Sequence, residues 1–174
     1  MLLIAMLYFA YGSNMSSSRL LARVPSARKL GTGMLHAHQL CFHKVGRDGS
    51  AKCDARETGN SDHVVHGVLF IIEPEDRSAL DEVEGVGRGY EVKDVTVRMF
   101  DDRELTAFTY YATHVDVSLR PFDWYRQHVI YGAAEHNLPD AYQQYIRLTE
   151  SIPDSDAQRR ERELSVYRKP AAAI

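Results

Sequence analysis

The first hydrophobic pattern along the chain is a continuous apolar and aromatic run. Residues 2–11, with the sequence LLIAMLYFAY, show no polar alternation and end at Gly12. Such a run is typical of a central strand that is covered on both faces of its sheet. Residues 15–23 then combine apolar side chains with serine and arginine, and Pro25 limits their length, which predicts a short helix.

The middle of the chain predicts two more strands and a helix. Residues 35–43 and 63–72 have strand patterns, and the polar stretch 47–62 between them predicts a long exposed loop or hairpin. The sequence EPED at residues 73–76 begins a helix, because proline suits the first turn and acidic side chains complement the positive helix end.

The second half predicts a hairpin followed by helices. Residues 90–100 alternate with a period of two, and residues 105–113 return as an aromatic-rich partner strand. Helices are predicted from Pro121 to about residue 135 and from Pro139 to about residue 150. Strands interleaved with helices, then a hairpin and clustered helices, indicate an α+β fold, a single domain with a mixed barrel-like β-sheet and flanking helices.

Composition and charge exclude several classes of protein. A chain of 174 residues fits one domain, placed over residues 1–165, with residues 166–174 as a C-terminal tail. The net charge of −3 lacks the basic footprint of a nucleic-acid binder. No apolar stretch reaches the about 18 residues needed to span a membrane, and the opening run lacks the basic start of a signal peptide. With only two cysteines, Cys41 and Cys53, a cytoplasmic protein is expected.

The segment 8–14, with the sequence YFAYGSN, is a strand that breaks at Gly12 and continues into the predicted short helix. Such a turn leaves backbone N–H groups unpaired at a sheet edge, where they can bind an anion or an oxyanion. A purely structural joint between a strand and a helix has the same pattern. The segment has neither the phosphate-loop pattern G-x-x-x-x-G-K-[ST] nor the G-x-S-x-G elbow that would mark Ser13 as a hydrolase nucleophile.

A cluster of three acidic residues, Asp81, Glu82 and Glu84, ends the helix that begins at residue 73. Gly85 suits the left-handed conformation that follows a helix, so Glu84 is expected to be the last helical residue. A solvated acidic helix face is the simplest interpretation of the cluster. However, a carboxylate in the last turn lies at the negative end of the helix dipole, which disfavours its charged form. This environment suits a residue that takes a proton from an amine, which makes Glu84 the candidate general acid/base.

Histidine and cysteine positions indicate no metal site. The candidates are His36 and His38 on one strand face, the pair His63 and His66, and the cysteines Cys41 and Cys53. Their spacing matches no known ligand pattern, so neither a metal nor a cofactor is expected. The charged segment 159–163 is interpreted as a solvated helix face without a chemical role.

Four segments of the chain together resemble the γ-glutamylcyclotransferase family of the AIG2-like superfamily. They are residues 8–14, the following helix up to residue 27, residues 80–86 with the sequence LDEVEGV, and residues 132–139 with the sequence GAAEHNLP together with Tyr142. Their order and spacing match over roughly residues 7 to 150, and the combination is more specific than any single motif.

The resemblance implies a mixed α/β fold with a small barrel-like sheet, and an activity that releases 5-oxoproline from γ-glutamyl amino acids without a cofactor. It implies that Glu84 is the catalytic acid/base. Binding of the small γ-glutamyl substrate is assigned to the strand and turn and to one tyrosine upstream of the GAAEHNLP segment. These residues are Tyr8, Phe9, Ala10, Tyr11, Gly12, Ser13, Asn14 and Tyr125. The resemblance leaves a homodimer open and assigns no role to Tyr90, because residues 87–90 are one residue shorter than in the vertebrate members.

The chemistry of a γ-glutamyl compound fits these residues. Its free α-amine can close a five-membered lactam on its own γ-carbonyl, so the protein needs only to fold the substrate and move protons. The leaving group stays open between an amino acid, an amine as in the γ-glutamylamine cyclotransferases, and the remainder of glutathione. Two different functions also stay open, a non-catalytic small-molecule binding module on the same fold and a serine hydrolase that uses Ser13.

Overall fold

The computed structural model describes residues 5–168, which form seven strands and five α-helices. The strands are β1 (Met6–Ala10), β2 (Arg28–His36), β3 (His38–Val45), β4 (Ala51–Glu57), β5 (Val64–Ile72), β6 (Tyr90–Met99) and β7 (Glu104–Ala112). The helices are α1 (Ser17–Arg23), α2 (Pro74–Glu84), α3 (Asp123–Glu135), α4 (Asp140–Leu148) and α5 (Ala157–Leu164). Two short 3-10 helices cover Ser13–Met15 and Ser165–Tyr167.

Five of the strands close into a barrel in the order β1-β5-β2-β6-β7. Neighbouring strands pair antiparallel except where β7 meets β1 in parallel at Tyr8 and Phe108, and this contact closes the sheet. Closure pairs strands that would otherwise be free edges. The strands β3 and β4 form a separate two-stranded antiparallel sheet. The predicted α+β fold with a mixed barrel-like sheet is confirmed.

The opening apolar run becomes β1 in the wall of the barrel. The strand begins at Met6, and its last three residues are almost inaccessible to solvent. The ring of Phe9 packs so close to β5 that a Cβ on Gly67 would lie 2.6 Å from it. The sequence prediction began this strand at residue 2, and residues 1–4 lie outside the described residues. The position of β1 places the turn that follows it at one end of the barrel.

The stretch 47–62, predicted as a long exposed loop or hairpin, contributes to a hairpin, but its predicted exposure is wrong for residues 51–55, which are buried or half-buried. Ala51–Glu57 form β4, so the structure contains a hairpin here instead of a long loop, with β3 as the partner strand. Asp54 in this strand is buried and is contacted from two sides. Its Oδ1 accepts a hydrogen bond from the Ala112 N–H at 2.9 Å, and its Oδ2 lies 2.8 Å from Nε2 of His43.

The prediction that His36 and His38 share one strand face is also wrong. The chain reverses at Ala37, which has a φ of 59°, and the Thr58 N–H donates to the carbonyl oxygen of Ala37 at 2.8 Å. His36 therefore ends β2 and is exposed, whereas His38 begins β3 and is buried. A single left-handed residue interrupts the alternation on which the prediction depended.

The C-terminal part of the described chain is joined to the domain by Tyr167. Its hydroxyl lies 2.6 Å from Nδ1 of His128 and donates to the Ser16 hydroxyl at 2.9 Å. The domain boundary after residue 165 stays a prediction, and residues 169–174 of the predicted tail lie outside the described residues. Between residues 5 and 168, no helix has the length and apolar character needed to cross a membrane.

Candidate active site

The turn after β1 lies between β4 and α3. The carbonyl oxygen of Gly12 accepts a hydrogen bond from the Met15 N–H at 3.1 Å, which begins the 3-10 helix Ser13–Met15. The Gly12 N–H donates to no acceptor among residues 5–168, as is usual for N–H groups at the start of a helix. A Cβ on Gly12 would lie 3.0 Å from the Cβ of Cys53 and 3.5 Å from the hydroxyl of Tyr125, so the close packing favours glycine.

Asn14 joins this turn to Glu84, the candidate general acid/base. Its Nδ2 donates to Glu84 Oε1 at 2.8 Å and to the hydroxyl oxygen of Tyr8 at 3.1 Å. Its Oδ1 accepts a hydrogen bond from Arg23 Nη1 at 3.0 Å, and the same nitrogen donates to Glu84 Oε1 at 3.2 Å. An amide and a cation therefore hold one carboxylate oxygen of Glu84. The other oxygen, Oε2, accepts no hydrogen bond from residues 5–168.

Glu84 is the last residue of α2, as the sequence predicts. Gly85 follows with a φ of 78°, and its N–H donates to the carbonyl oxygen of Asp81 at 3.0 Å. The Asp81 carboxylate is engaged elsewhere, because it accepts hydrogen bonds from the Tyr110 hydroxyl at 2.5 Å and from Arg77 at 2.8 Å. The Glu84 side chain is 16% exposed. The interpretation as a solvated acidic face therefore does not hold for Glu84.

Five buried tyrosines surround a small cavity beside the turn. They are Tyr8, Tyr11, Tyr90, Tyr110 and Tyr125. The cavity has a volume of about 20 Å³, which is room for a group of the size of a water molecule. Burial is the largest cause that raises the pKa of each phenol above its ordinary value, so all five are neutral and able to donate hydrogen bonds.

A larger basin lies outside this inner cavity. Its volume is about 220 Å³, and it shares Ser13, Glu84, Tyr90 and Tyr125 with the inner cavity. The charged residues that line it are six bases, Arg19, Arg23, Lys44, Arg47, Lys52 and Arg88, and three acids, Asp48, Glu84 and Glu163. The site therefore combines a fixed carboxylate, a free backbone N–H, neutral phenols and a positively charged entrance.

Comparison with known proteins agrees with this geometry. The model of the AIG2-like family matches residues 64–146, which include Glu84. The chain is 32% identical over 152 residues to the γ-glutamylcyclotransferase of Mus musculus, and the match covers 83% of this chain and 78% of the mouse protein. The chain belongs to the γ-glutamylcyclotransferase family.

A human relative and a solved structure support this membership. The γ-glutamylcyclotransferase of Homo sapiens is 32% identical over 151 residues, which make up 83% of this chain and 78% of the human protein. A solved structure named gamma-glutamyl cyclotransferase has a TM-score of 0.80 at 27% identity, covering 87% of this chain and 91% of that chain. The resemblance carried by the four sequence segments is confirmed.

Most residues that the γ-glutamylcyclotransferase resemblance assigns to the substrate meet at the inner cavity. Those that line it are Tyr8, Tyr11, Gly12, Ser13, Asn14, Tyr125 and the acid/base candidate Glu84. Phe9 and Ala10 are buried in the barrel and do not line it. Successive strand residues point to opposite faces, so Phe9 packs away from Tyr8, and Ala10 carries only a methyl group. The substrate-binding roles stay predictions.

Three further residues line the site without having been indicated by the sequence. Arg23 contacts Glu84, and the hydroxyl of Tyr90 donates to the carbonyl oxygen of Cys53. Nζ of Lys44 lies 4.5 Å from the centre of the Tyr90 ring. Arg23 could have been found from its place on the short helix that follows the turn. Lys44 lies on another sheet, and no motif surrounds it.

The interpretation of residues 159–163 as a solvated face is wrong for Glu163. The Glu163 carboxylate lines the basin and accepts a hydrogen bond from Nη1 of Arg19. Arg19 is only 7% exposed. The same Arg19 nitrogen donates to Nε2 of His128 at 3.0 Å. Burial lowers the pKa of His128 to about 4, so its imidazole is neutral and Nε2 can accept that bond. Glu163 on this charged helix thus pairs with a buried arginine. The sequence pattern does not distinguish a side chain with such a partner from one that faces solvent.

The buried imidazole of His128 should make stability depend on pH. The histidine pKa is 6.5 in the unfolded chain and about 4 in the folded protein, so the unfolded state binds the extra proton between these values. Stability is therefore lost as the pH falls from 6.5 to 4. From pH 7 to 4, we expect the free energy of unfolding to fall by about 3 kcal/mol more in the wild type than in His128→Phe.

Urea unfolding at the two pH values measures this difference. The matched control is His36→Phe, which makes the same substitution at an exposed position at the end of β2 and is measured in parallel. The same dependence in wild type and His128→Phe would contradict a neutral buried imidazole.

The GAAEHNLP segment packs directly against the turn. A Cβ on Gly132 of α3 would lie 2.5 Å from the Cβ of Met15 and 2.6 Å from the Ser16 nitrogen. Gly132→Ala is expected to lower the free energy of unfolding by about 1–3 kcal/mol, because the added methyl group forces the 3-10 helix away from α3. Urea unfolding measures the change. On a helix face without neighbours, alanine is more stabilising than glycine. A higher free energy of unfolding for Gly132→Ala would therefore show that the turn does not pack this closely against α3.

Among residues 5–168, no three His, Cys, Asp or Glu side chains lie close enough together to hold a metal ion. His63 contacts the Thr58 hydroxyl at 3.0 Å, and His66 packs against the Tyr142 ring with centres 4.8 Å apart. Both cysteines are free thiols. A reaction without a metal or cofactor stays a prediction.

Proposed function

We propose that this protein converts a γ-glutamyl compound into 5-oxoproline and a free amino compound by intramolecular aminolysis. The observation that carries the proposal is the contact between Asn14 and Glu84, which joins the turn to a carboxylate at one cavity. The mouse and human relatives named γ-glutamylcyclotransferase support it. The substrate is a small molecule, and no cofactor takes part.

The turn and the tyrosines hold the reacting end of the substrate. A cavity of about 20 Å³ admits a carbonyl oxygen or an ammonium group but not a whole glutamyl chain, so the remainder of the substrate extends into the basin. The free N–H of Gly12 donates to the γ-carbonyl oxygen, which gains negative charge as the ring closes. Holding the amine against its own carbonyl supplies much of the rate, because well-oriented ring closures reach effective molarities of about 10⁵ M or more.

Glu84 moves the protons. Its carboxylate takes a proton from the α-ammonium group, whose nitrogen attacks the γ-carbonyl carbon and forms the new C–N bond of the ring. Glu84 gives this proton to the leaving nitrogen, and the bond from the γ-carbon to that nitrogen breaks with its electron pair on the leaving nitrogen. The ring nitrogen, which became positively charged when it attacked, then loses a second proton, and the released amine takes up a proton to become an ammonium group. No water is consumed. Because Asn14 and Arg23 hold Oε1, the unbonded Oε2 is the oxygen that carries the proton.

A serine hydrolase built on Ser13 is the competing enzyme, and the geometry does not favour it. Among residues 5–168, no histidine that could activate a hydroxyl lines the inner cavity that contains Ser13. If Ser13 only positions the substrate, Ser13→Ala should lower kcat/KM by about 10- to 100-fold, the value of one hydrogen bond to a charged group. A nucleophile would lose nearly all activity on the same change.

Product analysis in ¹⁸O-labelled water tests the proposal. Incubation with a panel of γ-glutamyl compounds should give 5-oxoproline without solvent oxygen, because ring closure uses only the substrate's own atoms. Hydrolysis instead places one labelled oxygen in glutamate. Labelled glutamate without any 5-oxoproline would contradict the cyclotransferase and favour the hydrolase. Absence of both products across the panel would favour a non-catalytic binding module.

The location and assembly of the protein belong to the same proposal. We place it in the cytoplasm, where Cys41 and Cys53 stay reduced. Nucleic acid is not a proposed partner, because the net charge is −3. A homodimer is the assembly to test, and light scattering in solution measures it.

A further inference from the structure

The basin at the entrance of the site carries more positive charge than its own acids neutralise. Three ion pairs lie within it, Arg19 with Glu163, Arg23 with Glu84, and Lys52 with Asp48. The other three bases, Lys44, Arg47 and Arg88, form no ion pair among the described residues. This surplus of three positive charges is concentrated in a protein whose net charge is −3. The chain's average charge therefore does not explain it.

Lys44 holds its charge at an unfavourable position. The residue is only 5% exposed, and burial lowers the pKa of its ammonium group. It lies directly opposite Lys52 in the β3–β4 pair, and like charges at such positions destabilise a sheet. Asp48 pairs with Lys52 at 2.7 Å, whereas the contact of Lys44 is with the Tyr90 ring. A buried cation kept without an acidic partner indicates a ligand that brings the negative charge.

Arg47 and Lys44 flank the loop that begins directly after Glu84. Nη2 of Arg47 lies 3.6 Å from the place of a Cβ on Gly85, and Nζ of Lys44 lies 3.2 Å from that of Gly89. Both glycines have positive φ values, 78° and 116°, and Gly85 and Arg88 of this loop line the basin. The unpaired charges are thus next to the acid/base group, on the path by which a substrate extends out of the inner cavity.

We propose that Lys44, Arg47 and Arg88 bind the carboxylates of the leaving group, and that the preferred substrates are γ-glutamyl compounds of acidic amino acids or acidic peptides. The inference rests on the proposed function and names the substrate class for it. With the reacting carbonyl in the inner cavity, the leaving group lies in the basin. There, two carboxylates pair with more of the cations than one does. A leaving group that carries an ammonium group meets the same cations and is repelled.

Three substrates that differ only in the charge of the leaving group test the inference. At low ionic strength, where screening is weakest, we expect kcat/KM for γ-glutamyl-glutamate to exceed that for γ-glutamyl-alanine by about tenfold. The γ-glutamyl amide of 1,4-diaminobutane, with a cationic leaving group, should be poorer again by about tenfold. Equal values of kcat/KM for the three compounds would overturn the anion subsite and leave the cyclotransferase activity standing.

Charge-removing variants assign the preference to named residues. Lys44→Met should reduce the preference for γ-glutamyl-glutamate over γ-glutamyl-alanine about tenfold. Arg47→Gln should also reduce this preference, and because Arg47 is exposed, the change does not put folding at risk. Lys29→Met is the matched control, because Lys29 is exposed on β2 outside the basin and its loss changes the net charge equally. An unchanged preference in both Lys44→Met and Arg47→Gln would overturn the inference.

A binding measurement separates failure of the subsite from failure of the proposed function. Calorimetric titration of Glu84→Gln with γ-glutamyl-glutamate and γ-glutamyl-alanine gives dissociation constants without turnover. We expect the acidic compound to bind about tenfold more tightly, and the double variant with Lys44→Met to lose this difference. Equal dissociation constants in Glu84→Gln would overturn the subsite. Preferential binding of the acidic compound, with no 5-oxoproline from the wild type, would uphold the subsite and contradict the reaction.

Discussion

Glu84→Gln is expected to lower kcat for 5-oxoproline formation by about 10³- to 10⁴-fold, the upper end of general acid–base catalysis. Glutamine has nearly the same shape, and its amide oxygen can still accept hydrogen bonds from Asn14 and Arg23. Folding and substrate binding should therefore persist. The amide cannot take or return a proton, and the proposed reaction uses that group in both directions. The measurements are the rate of 5-oxoproline release, the urea unfolding midpoint and the substrate dissociation constant.

Glu82→Gln is the matched control for this variant. Glu82 lies in the same helical turn and is exposed, and its replacement by glutamine removes the same charge. Its rate should stay close to that of the wild type. A folded Glu84→Gln protein with a near-normal kcat would show that another group moves the proton. Equal loss in both variants would indicate an effect of net charge at the helix end instead of proton transfer.

The position of Glu84 could be predicted because its determinants are local. Pro74 at the first turn begins α2, and Gly85, with a φ of 78°, ends it. Each of these preferences depends on a few neighbouring residues, so one sequence contains all the information needed. The break at Gly12 after a continuous apolar strand is local in the same sense. Both halves of the candidate site were therefore evident before the fold was known.

The contact that makes one site of these halves could not be predicted from local patterns. Asn14 and Glu84 are 70 positions apart, and they meet because β1 and α2 are placed by the barrel. That barrel closes through a parallel pairing of Tyr8 with Phe108, and period-two alternation specifies neither the partner nor the direction of a strand. The family resemblance supplied the information that these two segments meet, because the motifs of a family include residues that are distant in sequence and close in the fold.

The least predictable part of the site is the one built on β3 and β4. Ala51–Glu57 alternates small and polar residues, so its hydrophobic signal is weak, although the period of two was present. The sequence left this stretch open between an exposed loop and a hairpin and gave no register, so the opposite positions of Lys44 and Lys52 could not be predicted. The charge of the basin follows from that pairing. The substrate class inferred above therefore depends on tertiary structure, whereas the reaction class does not.

Asn14→Ala is expected to lower kcat/KM by about 10²- to 10³-fold, a larger loss than for Ser13→Ala. The change removes the donor to Glu84 and the acceptor for Arg23, and hydrogen bonds to charged groups contribute about 1.5 to 3 kcal/mol each. At about 1.4 kcal/mol for each factor of ten, two such bonds near the lower end of that range, about 3 to 4 kcal/mol together, account for the expected loss. The backbone N–H groups of the turn remain, so kcat should change more than KM. Steady-state kinetics of 5-oxoproline formation measures both.

Asn14→Asp distinguishes positioning of Glu84 from a general weakening of the turn. Aspartate keeps the size of the side chain and an oxygen for Arg23, but it replaces the donor at 2.8 Å from Glu84 Oε1 by a second carboxylate oxygen. Two carboxylates at this distance do not ionise together, so one keeps a proton and Glu84 loses its fixed role as base. At neutral pH we expect Asn14→Asp to be no more active than Asn14→Ala. If either folded variant kept kcat within about threefold of the wild type, its activation free energy would differ from that of the wild type by less than about 0.7 kcal/mol. The Asn14–Glu84 contact would then not be what places the catalytic carboxylate.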